Sequence, residues 1–143
     1  DSQIRIQNRL FDITDEASHK VNFCTEHAML GGDLEERIVN FIKENPDTIL
    51  IIIDTLQMIR PTSKDHNYAN DYSDLRILKD LADKYGIAIL LIHHLRKEYD
   101  KDPFNRISGT TGIQGAVDSS FILVEETRGS KVATLSFVGR DID

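Results

Sequence analysis

The most constraining feature of the chain is a pair of apolar runs, Thr48 to Ile53 and Ile87 to Ile92, each ending in a side chain able to do chemistry. The first run is β-branched and leucine-rich and stops at Asp54; the second stops at His93-His94. Such unbroken runs are the pattern of strands covered on both faces. Between them, Asn70 to Tyr85 places Leu75, Leu78, Leu81 and Ala82 on one helical face and stops at Gly86. Strand, helix and strand at these lengths make a right-handed crossover, which brings both strand ends to one edge of a sheet. Asp54 and His93 are therefore expected to share a site.

Around this unit the reading extends in both directions. Asp1 to Leu10 reads as a helix with Asp1 or Ser2 as its cap, and Lys20 to Thr25 as a short strand. Asp33 with Glu36 three positions later resembles a capping box opening a helix to Glu44, with Leu34, Ile38, Phe41 and Ile42 as its stripe. Asn45-Pro46-Asp47 turns the chain after it. Thr55 to Tyr68 reads as a long exposed connection, and Leu95 to Val117 as a mobile polar loop. Ser119 to Glu125 and Val132 to Gly139 close the chain as a hairpin.

The chain has 143 residues and a net charge of −7, which allows one domain or part of one and disfavours a general coat for nucleic acid. Its apolar runs are far shorter than the roughly 20 residues of a membrane span, and no leader pattern opens it. The single cysteine, Cys24, can form no internal disulfide, so a cytoplasmic setting is expected. Because the chain opens on Asp1 within a helical pattern, a piece of a longer protein is also expected.

Four positions or segments carry candidate chemistry. An aspartate ejected at the end of a buried strand can hold a magnesium ion beside nucleotide phosphates, directly or through water, though Asp also caps turns after strands. His93 or His94 can hydrogen-bond a terminal phosphate and pass on its loss, or simply satisfy the rim of a core. Zinc is disfavoured, since adjacent strand positions point to opposite faces and no further Cys or His lies nearby. The segment after them sets Arg96, Lys97, Lys101 and Arg106 against Glu98, Asp100 and Asp102. Its small-residue run Ser108-Gly109-Thr110-Thr111-Gly112 could bring backbone amides close to nucleic-acid phosphate, or serve as a flexible linker. Arg140, closing the last strand, could reach a neighbouring subunit's phosphate or be a surface charge.

Taken together, Ile51 to Gln57, Ile92 to Lys97, Ser108 to Gly112 and Val138 to Asp141 resemble the RecA-like P-loop ATPases of the RepA type, relatives of the DnaB-like helicases. The resemblance runs over essentially the whole chain and implies a three-layer α/β core with a mostly parallel sheet, flanking helices and a C-terminal hairpin. It implies that Asp54 is the Walker B aspartate, with Thr55 beside it at the nucleotide and magnesium site. His93 or His94 would be the phosphate sensor and Arg140 a finger acting across a subunit boundary in a ring. Arg96, Lys97, Arg106, Ser108, Gly109 and Thr110 would face single-stranded DNA.

No Gly-x-x-x-x-Gly-Lys-Ser/Thr occurs in these residues, so the loop that cradles the phosphates is expected upstream. In the resembled family the acidic residue that orients the attacking water lies upstream too. The chain alone is then expected not to hydrolyse ATP. By the same resemblance the absent first strand would leave open edges between the Ile87 to Ile92 strand and the Phe121 to Val124 strand. The function so implied is the C-terminal part of an ATP-dependent DNA helicase or DNA-remodelling ATPase of replication, recombination or repair, using ATP and Mg2+. The alternative is a non-catalytic DNA-binding or oligomerisation module on the same fold.

Overall fold

The computed structural model describes residues 2–16, 18–61, 68–98, 100–107, 111–125, 127 and 129–140. Two helices precede the first strand: α1 spans Gln3–Ile13 and α2 spans Leu34–Glu44. Strand β1, Leu50–Asp54, runs into a four-residue helix α3, Leu56–Ile59. The long helix α4, Tyr68–Tyr85, leads to β2, Ala88–Ile92, and a 3-10 turn at Pro103–Arg106 precedes α5, Thr111–Ala116. Strands β3, Ser119–Val124, and β4, Thr134–Gly139, follow.

The crossover forms as its pattern dictates. β1 and β2 pair in parallel with Leu50 opposite Ala88 and Asp54 opposite Ile92. Gly86 ends α4 in the left-handed region at φ 64, and the Ile87 amide returns to the Ala82 carbonyl at 3.1 Å. That is the Schellman ending, in which a residue without Cβ takes the conformation other residues resist.

The core lies on one side of this pair. Ile38 and Ile42 of α2, Leu56 and Ile59 of α3, Leu75 and Leu78 of α4, and Ile113 and Ala116 of α5 cluster with Ile53 and Ile87. Ile51, Ile89 and Leu91 pack against that cluster, whereas Leu50, Ile52, Leu90 and Ile92 are exposed. The alternation of a strand explains the split: successive side chains leave opposite faces, and helices cover one. Among the described residues the parallel pair is thus a two-layer arrangement, not the expected three layers with both faces covered.

Several expectations change. β3 and β4 form their hairpin antiparallel, Ser119 opposite Gly139, but it stands as a second two-stranded sheet rather than part of one. Lys20 to Thr25 is not a strand: the Lys20 and Val21 amides donate to Ser18 in a local turn, no ladder partner stands beside the segment among the described residues, and Val21 and Phe23 are exposed. The connection after β1 contains α3, whose Leu56 is 1% exposed, because two apolar residues one turn apart are enough to pull it into the core. The described residues of the segment expected to be a mobile loop contain the Leu95 to Ile107 bridge, the 3-10 turn and α5, in which Gly112 is buried.

Of the two helix starts, the first follows its pattern and the second does not. Ser2 caps α1 by accepting from the Arg5 amide at 3.4 Å. Asp33 does not accept from the first turn of α2; its carboxylate accepts backwards from the Met29 amide at 3.1 Å, and Glu35, not Glu36, accepts from the Gly31 amide at 2.7 Å. Both acids stabilise the preceding turn instead of forming a capping box. No helix among the described residues is long and apolar enough to cross a membrane.

Candidate functional site

Parallel register decides what meets at the end of the sheet. Asp54 sits opposite Ile92, so His93 and His94 leave β2 at the level where Asp54 and Thr55 leave β1. Asp54 is exposed, Thr55 and His93 are half-buried and His94 is exposed. The Asp54–Thr55 peptide is cis. Among the described residues no group of three or more His, Cys, Asp or Glu is placed to hold a metal ion. One accessible carboxylate still fits magnesium, which keeps several waters and takes one or two carboxylates together with substrate phosphates.

The segment leaving Asp54 is fastened from behind. The Ile59 carbonyl accepts from the Leu30 amide at 2.7 Å, and Arg60 turns into the protein. Its guanidinium lies 2.8 Å from Asp71 and 3.5 Å from Asp74, all three buried. This triad was not anticipated from the sequence. Its signal is nonetheless there: Asp71, Asp74, Leu75 and Leu78 recur at helical spacing, so two carboxylates occupy the buried stripe of α4 and need a cation.

Beyond the histidines the chain doubles back. Leu95 bridges Ile107, the Arg96 amide donates to the Arg106 carbonyl at 2.6 Å, and the Arg106 guanidinium donates to the Arg96 carbonyl at 3.4 Å. Arg96 and Arg106 are therefore neighbours although ten residues apart. Arg96, Lys97 and Glu98 line an open cavity of about 480 Å³. The nearby acids are exposed and engaged in local turns: Asp100 accepts from the Asp102 amide at 2.9 Å, and Asp102 caps the 3-10 turn through the Phe104 amide at 2.9 Å. Gln114 of α5 donates to the Phe104 carbonyl at 2.6 Å and holds this turn to the core. Ser108, Gly109 and Thr110 lie outside the described residues.

Arg140 is apart from the Asp54 edge in its bonding. It pairs with Asp118 of its own chain at 3.3 Å and donates to the Gly115 carbonyl at 3.4 Å. The same Asp118 carboxylate takes Lys79 of α4 at 2.6 Å and 2.9 Å. The Lys79 hydrogen bond, helped by the charges of Lys79 and Arg140, holds Asp118 below the ordinary carboxylate value against the opposing effect of desolvation. The Asp118 hydrogen bond in turn raises Lys79.

Residues 4–100 match the profile of a family described as AAA domain. The match covers Asp54, His93, His94, Lys79, Arg96 and Lys97 and ends before Arg106 and Arg140. No curated protein matches the chain.

Proposed function

Because the chain belongs to the AAA domain family, whose P-loop ATPase-like domains hydrolyse nucleotides, we propose that it supplies the metal-holding and phosphate-sensing edge of such an ATPase. The observation that carries this is the β1–β2 register, which sets Asp54 level with the exit of His93. Asp54 would hold the magnesium of a bound ATP through water, with Thr55 beside it. His93 or His94 would hydrogen-bond the terminal phosphate, and its loss would reach the folded segment that begins at Leu95.

The finer reading is an ATPase of the RecA-like RepA type, a helicase or DNA-remodelling motor working as a homo-oligomeric ring on single-stranded DNA. Its support is the resemblance together with the placement of Arg96, Lys97 and Arg106 on one folded segment directly after the histidines. Such a motor needs phosphate-cradling amides and a lysine, and no Gly-x-x-x-x-Gly-Lys-Ser/Thr occurs in these residues.

Calorimetry with a non-hydrolysable ATP analogue and magnesium, on this chain and on the longest natural reading frame containing it, tests the proposal. Binding by the longer form that Asp54→Ala weakens at least tenfold is the expected result. Absence of binding by either form overturns it and favours a non-catalytic platform on the same fold. Steady phosphate release by this chain alone, abolished by Asp54→Ala, would overturn the division of labour instead.

A further inference from the structure

Lys79 and Arg140 come from different elements, the middle of α4 and the end of β4, yet they converge on the one carboxylate of Asp118. Both Asp118 oxygens contact the Lys79 ammonium, and one of them also faces the Arg140 guanidinium. Two cations sharing two oxygens is the arrangement a phosphoryl group takes when a point charge and a planar fork bind it together.

As a fastening this cluster contributes little. The side chains of Asp118 and Arg140 are each 58% exposed, and ion pairs in that setting are weak and screened by salt. It borders a cleft of about 260 Å³ that is also lined by Arg76, Asp80 and Asp83. Those two acids lie 3.9 Å from their partners, Asp80 from Arg76 and Asp83 from Lys79, so the short contacts are kept for Asp118.

We propose that Lys79 and Arg140 form an anion site for a phosphoryl group, and that the Asp118 carboxylate occupies it as an internal stand-in until a phosphate displaces it. Asp118 can yield: its backbone is held separately, through its carbonyl, by the Arg140 amide at 3.0 Å. The carboxylate can rotate into solvent without opening the hairpin. Where that phosphate belongs to a nucleotide, the inference rests on the ATPase reading and adds Lys79 to it as a second phosphate-contacting cation and Asp118 as the group that guards the pair.

Pyrophosphate binding to the chain itself, followed by calorimetry at low ionic strength, tests the site without any nucleotide. Asp118→Asn is expected to bind at least fivefold more tightly than the unaltered chain, and adding Lys79→Gln or Arg140→Gln is expected to abolish that gain. Equal affinity of Asp118→Asn and the unaltered chain overturns the proposal, as does a gain that survives Lys79→Gln. Should Asp118→Asn fail to fold, as judged by circular dichroism, Asp118→Ser serves in its place. If neither folds, Lys79→Gln decides: binding unchanged by it overturns the site, and a loss of at least fivefold upholds it. A chain that binds pyrophosphate here while its longest reading frame binds no ATP analogue loses the ATPase reading and keeps the anion site.

Discussion

Arg140 and Asp118 face each other across the open end of the β3–β4 hairpin, joined twice: amide to carbonyl at 3.0 Å and guanidinium to carboxylate at 3.3 Å. The backbone bond continues the ladder one step past the Ser119 to Gly139 pair, so strand register, not chance surface proximity, sets the charges together. An arginine expected to project into another subunit is thereby held by its own chain.

The pH response of that pair has a definite sign. Asp118 is depressed from 3.8, chiefly by the Lys79 hydrogen bond, so its contribution is present above that value and is lost as pH falls through the lower, folded one. The melting-temperature gap between the unaltered chain and Asp118→Asn is expected to be small and constant near neutrality and to close under acid. It is also expected to shrink in high salt. Thermal melts across an acid series check this; a gap indifferent to acid would remove the pairing in solution.

Breaking the Arg60 triad has a larger effect. Asp71 is 0% exposed and its partner Arg60 is nearly as buried, so Asp71→Ala leaves a cation without its main counter-charge. The expected cost is about 3 kcal/mol, against a near-neutral result when the whole triad is exchanged for apolar residues, Arg60→Met with Asp71→Leu and Asp74→Leu. Urea unfolding of the single and triple variants measures both.

One face of the parallel pair is packed and the other is not. Leu56→Ala is expected to cost about 2–5 kcal/mol, the range for a leucine removed from a filled core. Ile52, 57% exposed on the opposite face, is expected to cost no more than about 0.5 kcal/mol when replaced by Thr. Equal losses at the two positions in denaturant titrations would mean that the second face is covered in solution.

Single-stranded DNA binding offers a separate check on the segment after the histidines. If Arg96, Lys97 and Arg106 contact phosphates, affinity falls steeply with ionic strength, and Lys97→Ala lowers both the affinity and the slope, by roughly 0.7 in the slope for one lost contact. Fluorescence anisotropy with a labelled oligonucleotide over a salt series reads both. Salt-independent affinity, or none, would leave the DNA reading without support.

What could be read in advance follows the range of the forces involved. The β1–α4–β2 unit is legible because each element carries its own signal: a β-branched run, an apolar stripe, a glycine stop. Lys20 to Thr25 has β character as well, but a strand also needs a neighbour, and no local pattern provides one. α3 and α5 escaped because four and six residues carry too few apolar positions to show a period, and glycines 112 and 115 dilute α5 further. The joint exit of Asp54 and His93 was legible from topology alone. The Arg60 triad and the Lys79–Asp118–Arg140 cluster were not, since each joins positions separated by 11 residues or more. An aspartate within an apolar stripe was the one available clue.

Helix α4 carries both of those clusters: Asp71 and Asp74 grip the segment that leaves Asp54, and Lys79 grips the hairpin through Asp118. Asp71 and Lys79 are separated along the helix by about 12 Å at 1.5 Å per residue, with an unbroken ladder between them. One continuous helix therefore separates a buried ion cluster from an exposed one, and the two differ in kind: the Arg60 end is locked into the core, whereas the Asp118 end can let go without disturbing it.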